Sequence, residues 1–170
     1  MKLVLLIFLV ILVTNLQIGI GVSFLNLVLL LVMGLVISGR LKYAFVAALA
    51  GGILLDIYSI FPPGIFIASL LISLAISVKI KEKFSLEAAG NVFMLGVTGA
   101  VIYEISVLAL VACAWLLKVS RFKIIFNQFW LSGSFWGILS SAIGLTLIFL
   151  IIRKYRTKIY GKSFYYKGRI

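Results

Sequence analysis

Long uncharged stretches separated by short charged ones set the pattern of this chain. Residues 3–39 contain no Asp, Glu, Lys or Arg. As one helix they would run roughly 55 Å, against about 30 Å of bilayer hydrocarbon, so the run must fold back on itself. Asn15, Gln17, Gly19, Gly21 and Ser23 mark the reversal. The pattern therefore predicts a first helix near 3–18 and a second near 22–39. A third, near 43–60, stops against Pro62-Pro63, because proline lacks the N–H donor and blocks helix continuation. A fourth is predicted near 64–78, followed by a polar loop carrying Lys79, Lys81, Glu82, Lys83 and Glu87. Residues 88–117 are apolar apart from Glu104 and are long enough for a tilted fifth helix. Residues 124–152 are uncharged again and give a sixth, whose start carries Phe126, Phe129 and Trp130 as an aromatic interface belt. Residues 153–170 form a basic tail with aromatics at Tyr155, Tyr160, Phe164, Tyr165 and Tyr166.

Composition turns these runs into membrane spans. The 170 residues are 64% hydrophobic and 12% charged, where a soluble domain carries about 25% charged residues. The polar surface is too small to wrap a water-soluble core, so one integral membrane domain is expected, all-α and built as a six-helix bundle over 1–152. The start, Met1-Lys2 and then an apolar run, also has the look of a signal peptide. No small-x-small cleavage site follows Val13, which makes an uncleaved anchor the better reading.

Charge then sets orientation. Six spans put both termini on one side. That side carries Lys2, Arg40, Lys42, Lys79, Lys81, Lys83 and seven tail residues, 13 basic groups in all, and the other side carries only Lys118, Arg121 and Lys123. Basic residues collect on the cytoplasmic face, so both termini are expected there, in a bacterial cytoplasmic membrane. The net charge of +12 is accounted for by this topology and by attraction to anionic headgroups. Nucleic-acid binding is not expected, whereas the tail is a candidate for docking a cytoplasmic protein.

The inventory is poor in catalytic groups. His is absent, which excludes a Ser-His-Asp triad and an imidazole metal site, and the acids are only Asp56, Glu82, Glu87 and Glu104. The single Cys113 lies in an apolar run and reads as packing. No Gly-rich phosphate loop and no acidic cluster with metal spacing occurs. The expectation is a non-enzymatic protein with no cofactor and no metal.

Two acids fall inside predicted spans, where each costs several kcal/mol unless it is satisfied or used. Asp56 is the one charged residue between Tyr43 and Val78. It closes the row Ala44, Ala48, Gly52, Asp56, as Glu104 closes the row Gly96, Ala100, Glu104. A third row runs Gly133, Gly137, Ser141. Four-residue spacing keeps side chains near one helix face, and small residues there let helices approach closely. Both acids should therefore look into the bundle. Candidate donors for them are Tyr58, Tyr103, Ser59, Asn91, Asn127, Gln128, Lys118 and Arg121. Each acid is either a satisfied structural group, a partner-docking group, or a ligand or proton site.

The stretch Gly52-Ile-Leu-Leu-Asp56-Ile-Tyr-Ser-Ile-Phe-Pro-Pro-Gly64 resembles the signature of the MreD family of bacterial rod-shape-determining membrane proteins. That family shows a Gly, an Asp four residues on and a Gly about eight later, at the end of its third helix. Length, six helices, a short basic tail, the acid Glu104 in the fifth helix and Phe129-Trp130 at the start of the sixth are similar too, so the resemblance covers nearly the whole chain. The Pro62-Pro63 doublet departs from the family pattern and bears on the outer loop's geometry. What the resemblance implies is a scaffold of the cell-wall elongation (Rod) complex. Its partner would be an MreC-like protein, and through it MreB filaments and the SEDS/penicillin-binding wall synthases. Gly52, Asp56, Gly64 and Glu104 would be candidate partner-binding residues, with Ala48, Gly96, Ala100, Gly133 and Gly137 packing helices. The architecture is also similar to the substrate-binding S components of energy-coupling-factor vitamin transporters, which gives the alternative of a small-molecule-binding subunit.

Overall fold

The computed structural model describes residues 2–20, 26–59, 61–83, 89–117 and 136–151. Among these residues the chain is all-helical: α1 (Lys2–Ile20), α2 (Leu27–Ile37), α3 (Leu41–Tyr58), α4 (Ile65–Lys83), α5 (Ala89–Leu116) and α6 (Trp136–Ile151). By length and apolar composition, α3 and α5 can each cross a membrane.

The shortest of the first five helices lies at the centre. α2 has eleven residues, about 16 Å of helix, and packs against α1, α3, α4 and α5. Its Leu30 also lies beside Gly144 of α6. Val28, Val32 and Val36, one turn apart, are wholly buried.

A helix at the centre of a bundle must find partners for its terminal N–H and C=O groups. At the start of α2 the Asn26 side chain accepts from the Leu29 amide at 2.9 Å, and Gln17 of α1 accepts from the Val28 amide at 3.3 Å. Asn26 has non-helical backbone angles, so α2 begins at Leu27 and not near 22. An apolar run conceals that boundary, whereas the Asn cap sets it. At the other end Gly39, at φ 74°, takes the left-handed conformation. Its amide donates to Val36 O and that of Arg40 to Leu35 O, a Schellman closure. The Lys81 ammonium of α4 joins this closure, donating to Val36 O at 2.5 Å and to Ile37 O at 3.4 Å.

That bond corrects a boundary. The pattern ends the fourth helix near 78 and makes Lys79 to Lys83 a loop, but α4 is helical through Lys83. Lys and Glu are good helix formers, and helical backbone at Lys81 is what holds its ammonium at the end of α2. The third helix starts at Leu41, two residues earlier than the pattern places it, and ends at Tyr58 with extended backbone at Ser59. Of the expected sixth helix, 136–151 is helical. Residues 124–135, with Phe126, Phe129, Trp130 and Gly133, and the tail 153–170 lie outside the described residues.

Candidate functional site

The first amides of α4 face the end of α3. Pro62 and Pro63 have no N–H, and the next amides, those at the start of α4, have no partner within the helix. Asp56, in the last turn of α3, supplies the acceptors. Its Oδ2 accepts from Gly64 N at 3.0 Å and from Ile67 N at 3.4 Å, and its Oδ1 accepts from Phe66 N at 3.0 Å. A carboxylate at a helix N-terminus also meets the favourable end of the helix dipole. Asp56 is 7% exposed, so these bonds form away from bulk solvent.

The two glycines of the stretch serve the same turn. Gly64 has φ 100°, a conformation that costs a residue with a Cβ. Gly52 stands one turn before Asp56, where a Cβ would fall 2.6 Å from Ile67 Cα. Its missing side chain is what lets α4 approach closely enough for the Asp56 oxygens to reach the amides. Ala44 and Ala48 continue this face and are wholly buried. Around the turn, Ser59 Oγ donates to Asp56 O at 3.2 Å, and the rings of Phe61 and Phe66 stand 6.1 Å apart.

The carboxylate of Asp56 thus accepts from main-chain amides at the start of the following helix, and neither Tyr58 nor Ser59 donates to it. Tyr58 is 58% exposed and turns outward. Ser59 binds the Asp56 backbone carbonyl instead of its carboxylate. Asn127, Gln128, Lys118 and Arg121 lie outside the described residues. A sequence signal was available: an acid at a helix end, two residues without N–H, and then a glycine opening a helix.

Glu104 is placed differently. It is half-buried on α5 and engaged in an interaction. Its neighbour Tyr103 is buried and lies near Asn26, Glu104 and Asp56. The start of α2, the end of α3 and the middle of α5 therefore bring Asn26, Asp56, Tyr103 and Glu104 to one end of the bundle.

The remaining small residues pack helices. A Cβ on Gly96 would stand 3.0 Å from Ala142 Cα of α6. Ala100 and Gly137 are buried. On α4, Ser73 donates to Gly99 O of α5 at 2.7 Å and Ser69 to its own helix at Ile65 O. Ser77 Oγ is buried without a hydrogen-bond partner. Cys113 is exposed on α5, which corrects its reading as a packing residue: its position in an apolar run did not reveal which face it occupies. No group of His, Cys, Asp and Glu that could hold a metal occurs among the described residues. Of the residues that cap α2, Asn26 was not singled out from sequence, Gln17 was read only as a marker of the reversal and Lys81 only as part of a loop.

In class, the described residues form an all-helical protein with two helices long and apolar enough to cross a membrane and a carboxylate-capped turn between α3 and α4. No protein-family model matches the chain, and neither a curated protein nor a solved structure does.

Proposed function

We propose that the chain is a multi-pass protein of the bacterial cytoplasmic membrane and a non-enzymatic scaffold of cell-wall elongation, holding an MreC-like partner in a Rod-type complex. Insertion is supported by the outward faces of the helices. Phe8 on α1, Ile53 and Ile57 on α3, Met94 on α5 and Leu147 on α6 are all exposed and apolar, and a surface of that kind needs lipid or protein to cover it. Six spans with the basic-rich ends inside place the α3–α4 turn toward the outer surface.

One observation carries the scaffold reading: Gly52, Asp56 and Gly64, the residues of the MreD-like stretch, build a single rigid turn. A carboxylate already accepting three amides is suited to fixing a shape. On this reading Asp56 acts by positioning the turn, and the partner meets its outer surface at Ile57, Tyr58 and the Pro62-Pro63 edge. A small-molecule-binding S component is the second reading, favoured by the buried Tyr103 with Asn26 and Glu104 beside it.

The test is affinity purification from native cells in detergent, with mass spectrometry of the co-purifying proteins. An MreC-like protein or a wall synthase is expected. Recovery of ATP-binding-cassette subunits with a tightly bound small molecule would replace the scaffold by the transporter subunit.

A further inference from the structure

Three polar side chains interrupt the apolar run of α1, and two of them are spent inside the bundle. Thr14 is buried and donates to Val10 O at 2.8 Å, and Gln17 accepts from the Val28 amide of α2. Asn15 is exposed. Among the described residues its carboxamide makes one hydrogen bond, Nδ2 donating to Ile11 O of its own helix at 2.9 Å. A carboxamide offers two N–H donors and an acceptor oxygen, so Asn15 keeps one N–H and its Oδ1 to spare. It lies roughly 20 Å along the helix from Lys2, inside about 30 Å of hydrocarbon where no water serves those groups.

The face around Asn15 has the spacing of a helix-pairing seam. Val4, Phe8, Ile11, Asn15 and Ile18 follow one another in alternate steps of four and three, and all five are exposed. They form one stripe, turned roughly 140° around the helix from the buried Leu6, Val10 and Thr14. Among the first five helices, α1 packs against α2 and α3 alone, so the stripe lies on its outward side. A repeat of 3.5 residues is that of the a and d positions of two paired helices, in which a single Asn at an a position fixes register and partner number.

We propose that this stripe is the interface with a second copy of the chain, α1 lying parallel to α1 about a two-fold axis. The proposal rests on the membrane reading above and adds self-association to it. Copies inserted in one membrane share one orientation, so identical residues reach the same depth, and a two-fold axis brings like residues together. Asn15 is complementary to itself. The spare N–H of each copy donates to the Oδ1 of the other, which satisfies both groups at once. Lipid, or a wholly apolar partner helix, leaves them unpaired in hydrocarbon. Val4, Phe8, Ile11 and Ile18 pack on either side of the pair.

The experiment oxidises single-cysteine variants of the full chain in native membranes with copper–phenanthroline, in a Cys113→Ala background. Ile11→Cys should give a disulfide-linked band at twice the chain's 18.7 kDa. Leu9→Cys, equally exposed but off the stripe, should give on the order of tenfold less, because its Cβ points away from the axis. Single-molecule photobleaching of the labelled chain in vesicles then reads the dimer fraction. Asn15→Leu should weaken association about tenfold by removing two bonds between helices, and Asn15→Gln, which keeps the carboxamide, should restore most of it. Both variants should keep their helical circular dichroism, since the side chain is exposed. Equal cross-linking at positions 9 and 11, or Asn15→Leu that pairs as tightly as the wild type, overturns the interface. A chain that resists carbonate extraction but is monomeric, or whose Ile11→Cys form links to a different protein, overturns it too and leaves the membrane reading standing. A chain that carbonate releases from the membrane overturns both.

Discussion

Asp56 Oδ1 lies 3.0 Å from the amide nitrogen of Phe66, ten residues further along the chain and on the next helix. With the amides of Gly64 and Ile67 on Oδ2, this one side chain closes the start of α4 from the end of α3. Capping across a turn ties two helices together, whereas an ordinary cap serves its own helix.

Removing that carboxylate should expose the cost. Asp56→Ala strands three partly buried amides, each costing up to about 1–3 kcal/mol when left unpaired. Allowing for relaxation of the turn, a loss of about 3 kcal/mol is expected in thermal unfolding of the purified protein in detergent. Asp56→Asn keeps one acceptor oxygen but turns an NH₂ toward an amide, so an intermediate loss is expected. An Asp56→Ala protein that melts with the wild type would mean that the three bonds contribute nothing.

The glycines of the turn make a separate prediction. Gly64→Ala forces a Cβ into the left-handed region and should cost about 1–2 kcal/mol. Gly52→Leu must push α4 away from its contact at Ile67, and about 1–3 kcal/mol or more is expected from overpacking. Combined with Asp56→Ala, Gly52→Leu should cost less than the sum of the two, because separating the helices has already broken the same bonds. Strict additivity in the double-mutant cycle would uncouple the two residues.

Lys81 gives a test at the opposite end. Lys81→Met retains most of the aliphatic stem and deletes the donor to Val36 O and Ile37 O. A loss of about 1 kcal/mol is expected, the scale of a cation at a helix C-terminus. Hydrogen exchange should quicken at the amides of α2's last turn and stay unchanged at Phe66. Equal quickening at both ends would point to global loosening.

The packing of α5 on α6 can be captured covalently. A Cβ at Gly96 would stand 3.5 Å from Ala142 Cβ, at the short edge of the separation that a disulfide spans. In a Cys113→Ala background, Gly96→Cys with Ala142→Cys should therefore oxidise to a bridge within the chain, seen as a faster band on non-reducing gels. Two free thiols after mild oxidation would place α6 elsewhere.

How far the sequence reached differs from element to element. Helices were legible wherever an apolar run met a strong breaker, as α3 does before Pro62-Pro63, because proline acts locally on the backbone. The start of α2 was not legible, since Asn26 sits inside an uncharged run beside Ser23 and only its side-chain bond to the Leu29 amide marks the boundary. The end of α4 was misjudged because lysines read as solvated loop when their partners are unknown.

By itself the sequence determined the all-helical class, the spacing of the apolar runs and the singular position of Asp56. Those follow from local chemistry: uncharged length, proline, and a lone carboxylate among apolar neighbours. The tertiary structure alone decided what Asp56 bonds to, that Gly52 makes room for Ile67, and that Lys81 closes α2. Each of these joins residues on different helices, and the distance between two helices is set by packing, which no one-dimensional pattern records.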